Sequence, residues 1–169
     1  MGPFTAVSFE HVQAFATSLV LGLLIGLERE RRPEAKAGLR TFSLVGLLGC
    51  LSALIAERMD NGWILAIGFL AVAAMMMAAA IADPADDGDP GTTSAVALML
   101  CYGLGAAVWF GYATLAVMAA IATTTLLYFK VQLQHISRSL THKDLISILQ
   151  FAALSFVILP ILPDANYGP

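Results

Sequence analysis

Charge in this chain is scarce and gathered. The segment Glu28-Arg29-Glu30-Arg31-Arg32-Pro33-Glu34-Ala35-Lys36-Ala37-Gly38-Leu39-Arg40-Thr41 carries eight ionisable charges, in a protein of 169 residues with 12 acidic and nine basic side chains in all. Glu28 closes one apolar run and Arg40 opens the next. A carboxylate and a guanidinium so placed can meet where two antiparallel helices join, and a partly desolvated pair of that kind is specific in geometry and costly to break from one side. Gly38 stands just ahead of a helix start, whose free N–H groups, together with Arg40, suit an anion or a carboxylate. The competing reading is an anchor that keeps its charges in water and fixes the chain's orientation. Spacing alone leans to the anchor.

Three other stretches carry polar chemistry. Asp83, Asp86, Asp87 and Asp89 crowd one Pro- and Gly-containing loop, and four carboxylates can hold Mg²⁺ or Ca²⁺ through oxygen. The order is not that of a calcium loop, since the alternate-residue Asp ligands and the distal Glu are missing, so a solvated acidic turn is the plainer reading. Gly91-Thr92-Thr93-Ser94 can cap a helix start or line a polar cavity. Thr123-Thr124-Thr125 lies within an apolar run, where threonine bonds back to its own helix or across to a neighbour. His11, His135 and His142 are scattered, and no nucleophile–base set or phosphate loop is recognisable, so the sequence reads as non-enzymatic.

The elements that must position these residues are membrane helices. The chain is 59% hydrophobic and 12% charged, against about 45–50% and 25% in soluble domains. A compact soluble fold of this size cannot hide that much apolar surface. The net charge of −3 argues against nucleic acid, which favours strongly basic faces. Cys50 and Cys101 sit inside apolar runs and read as packing residues, not as a disulfide. No Lys or Arg precedes the first apolar run, and that run ends in charge, so no cleavable signal is expected.

Charge-free runs predict an all-α, polytopic membrane bundle, with helices at about 10–28, 39–57, 62–82, 92–109 and 112–130, and a sixth at about 145–162. The apolar stretch 90–129 is twice the length of one crossing and must turn near Trp109-Phe110-Gly111-Tyr112. Val131, Leu133, Ile136 and Leu140 give a 131–144 linker one apolar face. The expected organisation is a membrane domain over 1–130, that linker, and a segment 145–169 that opens a second membrane domain.

Eight of the nine lysines and arginines fall on one side of this topology, and only Arg58 on the other. That bias predicts that the 28–40 loop is cytoplasmic and the N-terminus outside. Small residues mark the packing faces: Ala14, Ser18, Gly22 and Gly26 on the first helix, Thr93, Ala97, Cys101 and Gly105 on the fourth, Ala116, Ala120 and Thr124 on the fifth. Lipid gives no hydrophobic drive between helices, so close approach must hold them, within one chain or at a homodimer seam.

Gly22-Leu-Leu-Ile-Gly-Leu-Glu-Arg-Glu-Arg-Arg32 followed by Ala37-Gly-Leu-Arg-Thr41 resembles the hallmark of the MgtC/SapB membrane proteins. Gly91-Thr-Thr-Ser94 is similar to a second element of that family, and the helix layout over 10–130 also fits. Leu149-Gln-Phe-Ala and Leu159-Pro-Ile-Leu-Pro-Asp164 resemble the start of a further membrane domain that follows such a half in some bacterial proteins. The resemblance implies a bacterial inner-membrane protein linked to growth in low magnesium and to survival inside host cells. It also implies a membrane-protein partner such as the ATP synthase rather than demonstrated Mg²⁺ transport. Carried over by position, it marks Gly26, Glu28, Arg29, Gly38, Leu39, Arg40 and Thr41. Two functions stand: a non-enzymatic membrane regulator of magnesium and stress physiology with no obligate cofactor, or a small cation channel or transporter subunit with Asp83–Asp89 as its vestibule.

Overall fold

A computed structural model describes residues 9–31, 37–82, 92–130, 132 and 142–155. Six helices are delineated among them: α1 (Phe9–Glu30), α2 (Leu39–Met59), α3 (Trp63–Ala82), α4 (Thr92–Trp109), α5 (Ala113–Tyr128) and α6 (His142–Ala153). The chain divides into two compact units, residues 1–128 and 129–169. The first five helices follow the expected spans closely. The sixth starts at His142 instead of 145, so the end of the expected linker is helical. The acidic loop Asp83–Asp89, the proposed linker face of Val131, Leu133, Ile136 and Leu140, and the chain beyond 155 lie outside the described residues.

α1, α2 and α4 are long and apolar enough to cross a bilayer, and Trp63–Ala79 and α5 are shorter apolar segments. At 1.5 Å per residue the three long helices reach about 27–33 Å, against a hydrocarbon core of about 30 Å. Every Asp, Glu, Lys and Arg within α1–α5 lies in a terminal turn: Glu10, Glu28, Arg29 and Glu30 on α1, Arg40, Glu57 and Arg58 on α2. Large apolar side chains of α3 and α5 point outward, among them Ile67, Leu70, Met77, Leu115, Met118 and Leu126. That surface suits acyl chains rather than water.

Two sharp turns close the same end of the first unit. After α2, Asp60 adopts a left-handed conformation (φ 49°), its N–H donating to Glu57 O and the Asn61 N–H to Ala56 O. After α4, Gly111 does the same (φ 87°), with its N–H on Val108 O and the Tyr112 N–H on Ala107 O. Both are Schellman endings, which satisfy the last orphan carbonyls of a helix. Asn61 Oδ1 then accepts the Trp63 N–H at 3.0 Å and starts α3.

Glycine lets the middle of the bundle close backbone to backbone. A Cβ on Gly46 would lie 2.7 Å from Ser18 O of α1, and one on Gly105 would collide with the Gly46 carbonyl of α2. Gly49 faces the Tyr102 carbonyl of α4 just as closely. Without a hydrophobic drive between helices, this contact and its dispersion energy hold α1, α2 and α4 together. The hydroxyl of Tyr102 donates to Leu65 O (3.2 Å), and its ring meets Phe69 edge-on, tying α3 to α4.

Candidate functional site

The described residues of the charged segment, 28–31 and 37–41, lie where α1 ends and α2 begins. Glycine sets the dimensions of this junction. A Cβ on Gly22 would lie 2.5 Å from Phe42 O, and one on Gly26 would lie 2.7 Å from the Leu39 Cα. These contacts run Gly22 to Phe42 and Gly26 to Leu39, so the helices are antiparallel, with the first turn of α2 pressed on the last turns of α1. Ser18, Gly22 and Gly26 all lie on this face, and Ala14 accepts the Ser18 hydroxyl at 2.8 Å.

Glu28 and Arg29, in the last turn of α1, are buried, at 8% and 3% exposure. Glu28 Oε2 and Arg29 Nε and Nη2 are shut off from solvent, and both side chains are engaged by other groups of the protein. Buried charge is costly unless compensated, so two neighbouring opposite charges at one helix end are a strong local constraint. Glu30 points the other way, to the surface. Its Oε2 accepts the backbone N–H of Leu39 at 2.9 Å, a cap on the first turn of α2. Gly38 makes room for that carboxylate, because a Cβ there would collide with Glu30 Oε2. The Phe42 N–H then donates to Gly38 O (3.2 Å) and the Ser43 hydroxyl to Leu39 O (2.7 Å).

The anion expected at the α2 start is thus supplied by the chain itself. A hydrogen bond between the two helices runs from Leu39 to Glu30, and Arg40 is exposed, one position around α2 from Leu39. Thr41 is half-buried, and Arg31 is exposed beside Glu30. The end of α1 therefore buries two charges, Glu28 and Arg29, and the junction's outer face shows Glu30, Arg31 and Arg40.

The other expected polar stretches separate. On α4, Ala97, Cys101 and Gly105 are buried, and the Cys101 thiol donates to Phe42 O at 3.1 Å. Cys50 and Cys101 are both free and buried. Thr123, Thr124 and Thr125 each donate to the carbonyl four residues earlier, at 2.7–2.8 Å. Among the described residues, no three His, Cys, Asp or Glu side chains come together as metal ligands.

One cluster escaped sequence reasoning. At the opposite end of the bundle the Trp109 indole N–H donates to Glu57 Oε2 (2.7 Å), and His11 stacks on Trp109 with centroids 5.0 Å apart. These groups border an open cleft of about 400 Å³ that Glu10, Gln13 and Thr17 also line. Its members come from three helices, and the one available signal was the aromatic turn at 109–112.

Antiparallel apolar helices with charge only at their ends define a multi-pass helical membrane protein. The family model described as the MgtC family matches residues 15–136, so the chain belongs to the MgtC family. No curated protein and no solved structure matches it.

Proposed function

We propose that this is a non-enzymatic regulator in a bacterial inner membrane, acting in magnesium homeostasis and stress adaptation by docking another membrane protein through the α1–α2 junction. The observation that carries this reading is the build of the junction. Its buried Glu28 and Arg29 and the Glu30 cap hold a fixed frame, and Arg31 and Arg40 stand exposed on it. A rigid surface with exposed guanidinium groups favours recognition of a partner's carboxylates. The lysine and arginine bias supports a cytoplasmic junction and an outside N-terminus. A membrane complex such as the ATP synthase fits this reading by family resemblance.

Crosslinking and recovery from native membranes tests it. The intact protein should bring down a membrane complex, and the double variant Arg31→Glu, Arg40→Glu should lose it while remaining folded. Purified protein in proteoliposomes should pass no Mg²⁺, Na⁺ or K⁺. A selective flux without any captured complex would overturn the reading in favour of a channel or transporter subunit.

A further inference from the structure

An open groove of about 520 Å³ runs between α1 and α2, at the end of the bundle away from the charged junction. Phe15, Leu19, Leu47 and Leu54 form its apolar walls, and His11 and Arg58 stand at its polar mouth. Because the helices are antiparallel, Leu19 and Leu47 mark the deep end. His11 to Leu19 and Leu47 to Arg58 correspond to about 12–16 Å along the helix axes. That is the depth of one leaflet in a hydrocarbon core of about 30 Å.

By the same measure Arg58 would stand at the headgroup level of that leaflet. It is exposed, lies in the last turn of α2, and is the sole basic residue of α1–α5 at this end of the bundle. Its neighbour Glu57 is held by the Trp109 indole. Glu10 and Glu57 line the adjoining cleft instead of the groove. Cation above and apolar walls below follow the order of a phospholipid, phosphate above and acyl chain below.

We propose that this groove is a resident lipid site: one acyl chain of an anionic phospholipid lies along Phe15, Leu19, Leu47 and Leu54, and its phosphate is met by Arg58. The inference does not depend on the docking function proposed for the opposite end.

The test uses full-length protein, delipidated in mild detergent and re-equilibrated with equimolar phosphatidylglycerol and phosphatidylcholine, then weighed by native mass spectrometry. One phosphatidylglycerol should remain per chain. Arg58→Gln should lower its retention about fivefold, as removal of one interfacial charge predicts, and leave phosphatidylcholine unchanged. Leu54→Trp should fill the groove and expel lipid of both kinds. Arg31→Gln, an equal loss of charge at the other end, should change nothing. Equal retention of the two lipids, indifference to Arg58→Gln, or a dimer mass in place of a lipid adduct would each overturn the site.

Discussion

Glu30 of α1 caps α2: its Oε2 lies 2.9 Å from the Leu39 backbone nitrogen, in space that only a glycine at 38 leaves open. The two conditions are coupled. Glu30→Ala should lower stability in detergent by about 1 kcal/mol, the usual worth of a helix cap. Gly38→Ala should cost a similar amount by displacing the carboxylate, and should add little once Glu30 is already alanine. Thermal unfolding of the two single variants and the double variant gives the cycle, and additive losses would sink the coupling.

Gly46 and Gly105 face each other's helices at backbone distance, whereas Gly103 has open space where its Cβ would be. Gly105→Ala and Gly46→Ala should cost at least about 2 kcal/mol, because a backbone cannot step aside as a side chain can. Gly103→Ala, in the interior of the same helix, should be neutral or stabilising by up to about 1 kcal/mol. Size-exclusion profiles after a heating series would rank the three, and an equal response at 103 and 105 would contradict the packing.

Charge at the junction should matter in proportion to burial, not to proximity in sequence. Arg29→Ala should cost about 3–5 kcal/mol, since it removes a buried guanidinium that other groups of the protein engage. Arg40→Ala, on the exposed face, should stay within about 0.5 kcal/mol. If Glu28 and Arg40 were instead partners, Arg40→Ala would approach the Arg29 value in the same melt.

The two thiols offer a probe that needs no mutation. Cys50 and Cys101 are buried between α1, α2 and α4. A maleimide should label neither in the folded protein and both in SDS, with mass spectrometry as the readout. Rapid labelling of Cys101 under native conditions would mean that the α2–α4 seam opens.

The helices were legible because each apolar run is fenced by charge, Pro or Gly, and the turn at Gly111 because one charge-free run was too long for one crossing. The small-residue stripe from Ser18 to Gly26 was legible from its four-residue period. What could not be read was which groups those faces meet. The period of α1 does not reveal that Gly26 meets Leu39, nor that Glu30 rather than Glu28 reaches α2. Glu28, Arg29 and Glu30 are three adjacent charges on one helix end, and only tertiary packing around α1 decides which two are buried and which one caps. His11, Glu57 and Trp109 gather for the same reason, from three separate helices.

The glycine seam has a mechanical consequence. Helices that slide do so on a layer of side chains that can exchange rotamers, and α1, α2 and α4 have no such layer where Gly22, Gly46, Gly49 and Gly105 meet carbonyl oxygens. A one-turn ratchet would bring a side chain against a backbone at each of these positions. These three helices therefore move as one stave. A conformational change within residues 1–128 that keeps these contacts must leave the α1–α2–α4 seam unsheared and fall on the helices outside it, α3 and α5.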